Sequence, residues 1–252
     1  MPLADGDLLD LLHDTATAIA ATLDDLVDWG LAGTRAGQHH SDLAADAAAL
    51  KVLGGADVGV LSEESGLHEP DRPVVVVVDP LDGSTNAARG IPWYGISLCA
   101  VDGDGPRVAL VVDVPRGRRF QAVRGAGSSV DGVALRPSGC TRLGQAVVGL
   151  SGFPARYLGW KQYRALGALA LDLCAVAEGT LDAYIDCSVS AHGPWDYLGG
   201  LLICQEAGAV GGDAEGRDLS SRAHLDPQVR RTPVAAGTVE LYHQAVEARA
   251  LR

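Results

Sequence analysis

Residues Val74–Val78 are five consecutive valines, and they run directly into Asp79-Pro80-Leu81-Asp82-Gly83-Ser84-Thr85-Asn86. No other stretch limits the fold so tightly. β-branched side chains without polar interruption suit a strand covered on both faces, so the chain must supply an apolar layer above and another below. With 252 residues, 47% of them hydrophobic and 21% charged, it has the length and composition to do so. The polar groups are gathered at the C-terminal end of the strand, where layered α/β folds place ligands. Pro80 fixes its own φ and biases Asp79 toward extended backbone. A turn through Leu81 then brings Asp79 and Asp82 close together. Two such carboxylates repel, and one takes up a proton unless a cation lies between them. A hard divalent ion, Mg²⁺ in particular, prefers oxygen ligands of this kind. Gly83-Ser84-Thr85 turns the chain again, into a short helix whose first N–H groups face a phosphate readily. The plainer reading is that Asp79 ends a strand and Asp82-Gly83 is an ordinary turn.

The rest of the chain supports layering. Helical spacing runs over Leu8–Trp29, and Ser41 is placed to cap a second helix over Asp42–Leu53. Val58–Leu61 is a short strand leading into Glu63-Glu64. A meander follows, with strands at Gly95–Val101, Val108–Val114 and Phe120–Val123, and an Asp131-Gly132 hairpin turn before Val133–Leu135. The second half alternates: strand Ala146–Gly149, helix Ala165–Glu178 stopped by Gly179, strand Leu181–Asp186, helix Trp195–Ala207, strand Thr232–Ala236 and helix Val239–Ala250. The fold class is α/β, with a boundary near Pro137–Gly144 separating an N-terminal half, 1–140, from a C-terminal half, 141–252.

The formal net charge of -12 argues against binding a nucleic acid polymer or an anionic membrane. No run reaches the roughly 18 uninterrupted apolar residues of a membrane span. The N-terminus lacks the basic flank of a secretory signal, and the five cysteines are scattered with no CxxC pair. Reduced thiols in a cytoplasmic protein are the expectation.

Two further places bear on the acidic turn. Glu63-Glu64 follows a strand, and Trp195-Asp196 opens an apolar helix that continues into Gly199-Gly200. Alone, the first is a solvated pair and the second a helix cap. In the order Glu-Glu, DPLDGSTN, WDxxGG, the three together resemble the signature set of the inositol monophosphatase family, which belongs with the lithium-sensitive, Mg²⁺-dependent phosphatases that include fructose-1,6-bisphosphatase. The similarity runs from about residue 40 to the C-terminus.

That resemblance implies a layered αβαβα sandwich and a phosphoric monoester hydrolase that activates water with two to three Mg²⁺ ions. Glu63, Asp79 and the carbonyl of Leu81 would bind the first ion, and Asp82 and Asp196 the second, with Asp79 shared. Glu63 would also bear a looser third ion, and Glu64 would assist beside it. Gly83 and Ser84 would receive the phosphate. The Ser84 hydroxyl, standing where the family has Thr, would orient the attacking water. An acid on the second helix partners that hydroxyl, and Asp46 is the expected match. Family members specific for inositol carry an acid seven residues before the WD aspartate, where this chain has Val189. Ser190 and His192 are the nearby candidates for substrate contact, with Asp172 and Arg164 as further ones. The expected substrate is a small phosphorylated polyol or sugar; fructose 1,6-bisphosphate, histidinol phosphate and a nucleotide 3′-phosphate stay open, as does a non-catalytic protein that binds phosphorylated ligands. The resemblance also implies a homodimer.

Overall fold

The computed structural model describes residues 3–35, 37–189 and 191–250. Its helices are α1 (Asp5–Asp24), α2 (His40–Leu53), α3 (Ser84–Arg89), α4 (Leu169–Ala177), α5 (Pro194–Ala207) and α6 (Val239–Ala250). Strands β1 (Gly59–Ser62), β2 (Gly66–His68), β3 (Val75–Asp82), β4 (Gly95–Asp102), β5 (Gly105–Asp113), β6 (Arg118–Val123), β7 (Gly127–Val130) and β8 (Val133–Ala134) form one sheet in the order β2-β1-β3-β4-β5-β6-β7-β8. Only the β1–β3 pair in it is parallel. Strands β9 (Val147–Ser151), β10 (Gln162–Arg164), β11 (Ala183–Asp186), β12 (Val210–Asp213) and β13 (Pro233–Ala236) form a second sheet, ordered β10-β9-β11-β13-β12.

The valine run explains the stacking. Val74, Val76 and Val78 point into a core shared with Leu8, Leu12, Ile19, Ala45 and Leu53 of α1 and α2. Val75 and Val77 point the other way, into a core shared with Leu171 and Leu173 of α4 and Leu198 and Leu202 of α5. Period-two alternation thus drives one strand into two different cores. On the far side of α4 and α5 lies the second sheet, and its outer face (Val148, Ile185, Val234) packs on Leu241 and Ala245 of α6. The layers are therefore helices, sheet, helices, sheet, helix: the αβαβα sandwich. The sheet changes between Ala134 and Val147, yet the central core runs through both halves of the chain.

Several boundaries differ from the sequence expectation. The first helix stops at Asp24, not Trp29. Helix α2 begins at His40, so Ser41 is buried inside its first turn and does not cap it; Asp42 accepts the His39 N–H at 2.8 Å instead. Helix α4 starts at Leu169 because Gly167, at φ 85°, cannot be helical. The expected Asp131-Gly132 turn is present, both residues at positive φ between β7 and β8. Strands β2, β10 and β12 gave no signal. All three are sheet edges of three or four residues, half-buried or exposed over most of their length, where no apolar alternation is required.

Candidate active site

The acidic turn is built by an irregularity in β3. Its register against β4 shifts between Asp79 and Asp82, where Pro80 and Leu81 together stand opposite Ile96 alone. Asp79 is almost wholly buried, and its Oδ1 accepts the Leu81 N–H at 3.0 Å. Asp82 Oδ2 accepts the Ala170 N–H at 2.7 Å, which ties the turn to α4. Gly83 follows at φ 86°, where a Cβ would lie 3.1–3.2 Å from the carbonyl oxygens of Trp93 and Gly167 and from Ala168 Cβ. Glycine is required there by conformation and by space together.

The other acids arrive from different elements. Glu63 stands at the end of β1, which is held parallel to β3, with its N–H on the Val78 carbonyl. Asp196 is in the first turn of α5, and its Oδ2 accepts the Gly193 N–H at 2.6 Å. Ser97 Oγ donates to the Trp195 carbonyl at 3.0 Å, pinning this helix start to β4. Ligand atoms of Glu63, Asp79 and Asp196 all lie within 4.8 Å of one another. Asp82 joins them electrostatically: burial and then Asp196 push its carboxyl up to about 7. Glu63 is pushed up to about 8 by burial, then by Asp196, Glu64 and Asp82. Burial and the charges of Glu63, Asp82 and Asp196 hold Asp79 well above the carboxylate range. Four clustered acids, three of them with raised pKa values and all offering hard oxygen donors, fit a divalent cation of the Mg²⁺ type. Positive charge in the cage reverses that repulsion.

A cavity of about 520 Å³ opens beside this cage, lined by Glu63, Glu64, Leu81, Ser84, Trp195 and Asp42 among others. Asp42 is the correction here. Asp46 was the expected partner of Ser84, but its Oδ1 accepts the Ser62 hydroxyl at 2.5 Å and the Ser65 hydroxyl at 3.2 Å. It therefore holds the turn that presents Glu63 and Glu64. Asp42, one helical turn earlier on the same face of α2, is the acid that faces the cavity. Burial raises its carboxyl, and the Ser84 hydroxyl is among the groups that draw it back down. The i, i+4 spacing of the two aspartates signals that both share a face; which of them meets Ser84 depends on where α2 begins.

Glu64 is engaged by the preceding loop, with Arg35 Nη2 at 2.8 Å and the Gln38 amide on the same carboxylate oxygen. Neither Arg35 nor Gln38 stood out in the sequence. His192 was expected in the substrate pocket, but it is absent from the cavity lining. Its Nδ1 lies 3.6 Å from Asp196 Oδ2 and its Nε2 3.5 Å from Asp186 Oδ2, so it sits behind the cage, wedged between two acids. Burial alone would lower its pKa; Asp196, Asp186 and Asp82 outweigh that and raise it. Ser190 lies outside the described residues. Asp172 is fully buried and accepts the Trp93 indole N–H at 3.0 Å. Arg164 lines a different, more apolar cavity with Trp160 and Tyr163. Neither touches the cavity beside the cage. Val189 is 89% exposed.

Comparison with known proteins shows the family and the fold. The model of the inositol monophosphatase family matches residues 53–250. A protein named fructose-1,6-bisphosphatase/inositol-1-monophosphatase, from Methanothermobacter thermautotrophicus, is 32% identical over 229 residues, covering 82% of this chain and 81% of that one. The Nus factor SuhB of Pasteurella multocida is 34% identical over 176 residues, and the match spans 64% of each chain. Among solved structures, a hypothetical protein from Pyrococcus horikoshii with similarities for inositol-1 monophosphatase superposes with a TM-score of 0.81 at 25% identity, over 96% of both chains.

Proposed function

This chain belongs to the inositol monophosphatase family, a family of phosphatases, and from that premise we propose that it is an Mg²⁺-dependent phosphomonoesterase acting on a small phosphorylated polyol or sugar. The observation that carries this reading is the convergence of Glu63, Asp79 and Asp196 from three separate elements, with Asp82 beside them. Glu63, Asp79, Asp82, Asp196 and the Leu81 carbonyl would hold two to three cations. When bound, these neutralise the phosphate dianion and stabilise charge developing on the leaving oxygen. The chain's own groups do the rest. Gly83 and Ser84 receive the phosphate where β3 turns into α3. Asp42, whose carboxyl the Ser84 hydroxyl influences, would accept from that hydroxyl in the reaction, leaving the Ser84 oxygen directed at the attacking water and able to pass its proton toward Asp42. Arg35 and Gln38 hold Glu64 at the rim. Positioning and electrostatics carry such a transfer without a covalent intermediate.

A panel of inositol phosphates, sugar bisphosphates, histidinol phosphate and adenosine 3′,5′-bisphosphate, assayed for phosphate release with Mg²⁺ and with excess chelator, tests the proposal. Release that requires Mg²⁺ and collapses in Asp82→Asn is expected. Binding of these compounds without release from any of them would instead favour a non-catalytic phospho-ligand binder. By the same family likeness the protein is a cytoplasmic homodimer, and exposed Phe153, Tyr157 and Tyr163 near edge strand β10 supply apolar surface for pairing. Light scattering at micromolar concentration checks that. No helix among the described residues is long and apolar enough to cross a membrane.

A further inference from the structure

The wall of the cavity opposite in charge to the cage comes from the loop between β12 and β13, which contributes Pro227 and Arg230. The Arg230 guanidinium lies over the Trp195 ring, 5.1 Å from its centroid, and Trp195 is the neighbour of the cage residue Asp196. Its hydrogen bonds run from Nη1 alone, to the carbonyls of Pro227 at 2.8 Å and Val229 at 2.9 Å. Among the described residues no carboxylate pairs with it. Nearby Arg217 is paired with Asp213 at 2.8 Å, and Arg35, the other cation of this cavity, is spent on Glu64 at 2.8 Å. Arg230 is thus a cation aimed into the site with most of its donors uncommitted, held in place by an aromatic face and two carbonyls.

We infer that Arg230 forms a second-anion subsite of this cavity, so that the preferred substrate is a phosphomonoester carrying a second phosphate. This rests on the phosphatase reading above and narrows its substrate class. A guanidinium presents a planar fork of donors that matches a phosphate in two bonds. A cavity of about 520 Å³ is of the size that encloses a small phosphorylated metabolite. The scissile phosphate would lie at the acidic cage, whose residues would hold the cations, and the retained phosphate at Arg230. The product keeps its second phosphate.

The test compares matched pairs: fructose 1,6-bisphosphate with fructose 1-phosphate, and adenosine 3′,5′-bisphosphate with adenosine 3′-monophosphate. The readout is the ratio of kcat/KM, bisphosphate to monophosphate, for wild type, Arg230→Gln, Arg230→Lys and Arg231→Gln. Wild type should prefer the bisphosphate in at least one pair. Arg230→Gln should lower that ratio about ten- to a hundredfold, the worth of charge-assisted hydrogen bonds. Arg230→Lys should restore part of it. Arg231→Gln, which removes the same charge next door from a side chain bonded to the carbonyls of Asp218 and Arg230, should leave it where it was. An unchanged ratio in Arg230→Gln, or an equal fall in Arg231→Gln, overturns the subsite. Should wild type release no phosphate from any substrate, the phosphatase reading fails by itself. Calorimetric titration of the same pairs with Mg²⁺ then reads Arg230 without turnover. Tighter binding of a bisphosphate that is lost in Arg230→Gln upholds the subsite; equal affinities, or no binding of either, overturn it.

Discussion

The two aspartates of α2 show how one helical turn separates chemistry from architecture. Asp42 faces Ser84 across the cavity, and Asp46 accepts two hydroxyls from the turn that carries Glu63 and Glu64. Asp42→Asn should therefore lower kcat/KM by about 10²–10⁴ while leaving the urea midpoint near that of wild type, since the amide keeps the shape and an acceptor for the His39 N–H. Asp46→Ala should act chiefly on stability. It strands the fully buried Ser62 hydroxyl, a loss of about 1–3 kcal/mol in urea unfolding. Were the two variants to exchange these behaviours, Asp46 would be the partner of Ser84. Asp82→Asn is a harsher change. It removes a cage charge, and turnover should fall by at least about 10²-fold in a phosphate-release assay.

At the scale of elements, the WDxxGG segment joins a ligand to its packing. Asp196 needs the start of α5 close to β3, and the helix approaches because Gly199 and Gly200 have no side chains. A Cβ on Gly200 would lie 2.6 Å from Leu173 Cβ and 3.1 Å from the Ala170 carbonyl, and one on Gly199 3.0 Å from Ser97 Oγ. Gly200→Ala should cost about 1–3 kcal/mol by overpacking α4 against α5, and should weaken activity too, because Ala170 also holds Asp82. Gly6, inside α1, has open space where its Cβ would go. Gly6→Ala should shift stability the other way, by about 0.5–1 kcal/mol. Parallel chemical denaturation of the two variants gives opposite signs if local packing is described correctly, and the same sign if it is not.

Over the whole molecule, the acidic cage couples stability to pH and to cations. Without bound cations, the folded chain keeps protons on Glu63 and Asp82 up to about 8 and about 7, whereas ordinary values are 4.5 and 3.8. Between those limits the unfolded chain binds fewer protons than the folded one, so stability must fall as pH rises. Thermal melts in chelator should show Tm dropping from about pH 5 to about pH 8, and excess Mg²⁺ should remove most of that slope by occupying the cage in place of protons. A flat chelator profile would show that the four acids are not packed as described. The valine run demanded two covering layers, and the resemblance carried by the acidic segments implied Glu63, Asp79, Asp82 and Asp196 as ligands, of which Glu63, Asp79 and Asp196 lie together in the fold. Sequence alone determined which groups carry charge and which strand is buried on both faces, because residue type and period-two alternation are local properties. What only the tertiary structure decided is which acid of α2 meets Ser84, that His192 stands behind the cage, and that Arg230 reaches the same cavity over Trp195. Those facts depend on helix starts and on loops distant in sequence, which the packing of separate layers sets and no local pattern encodes.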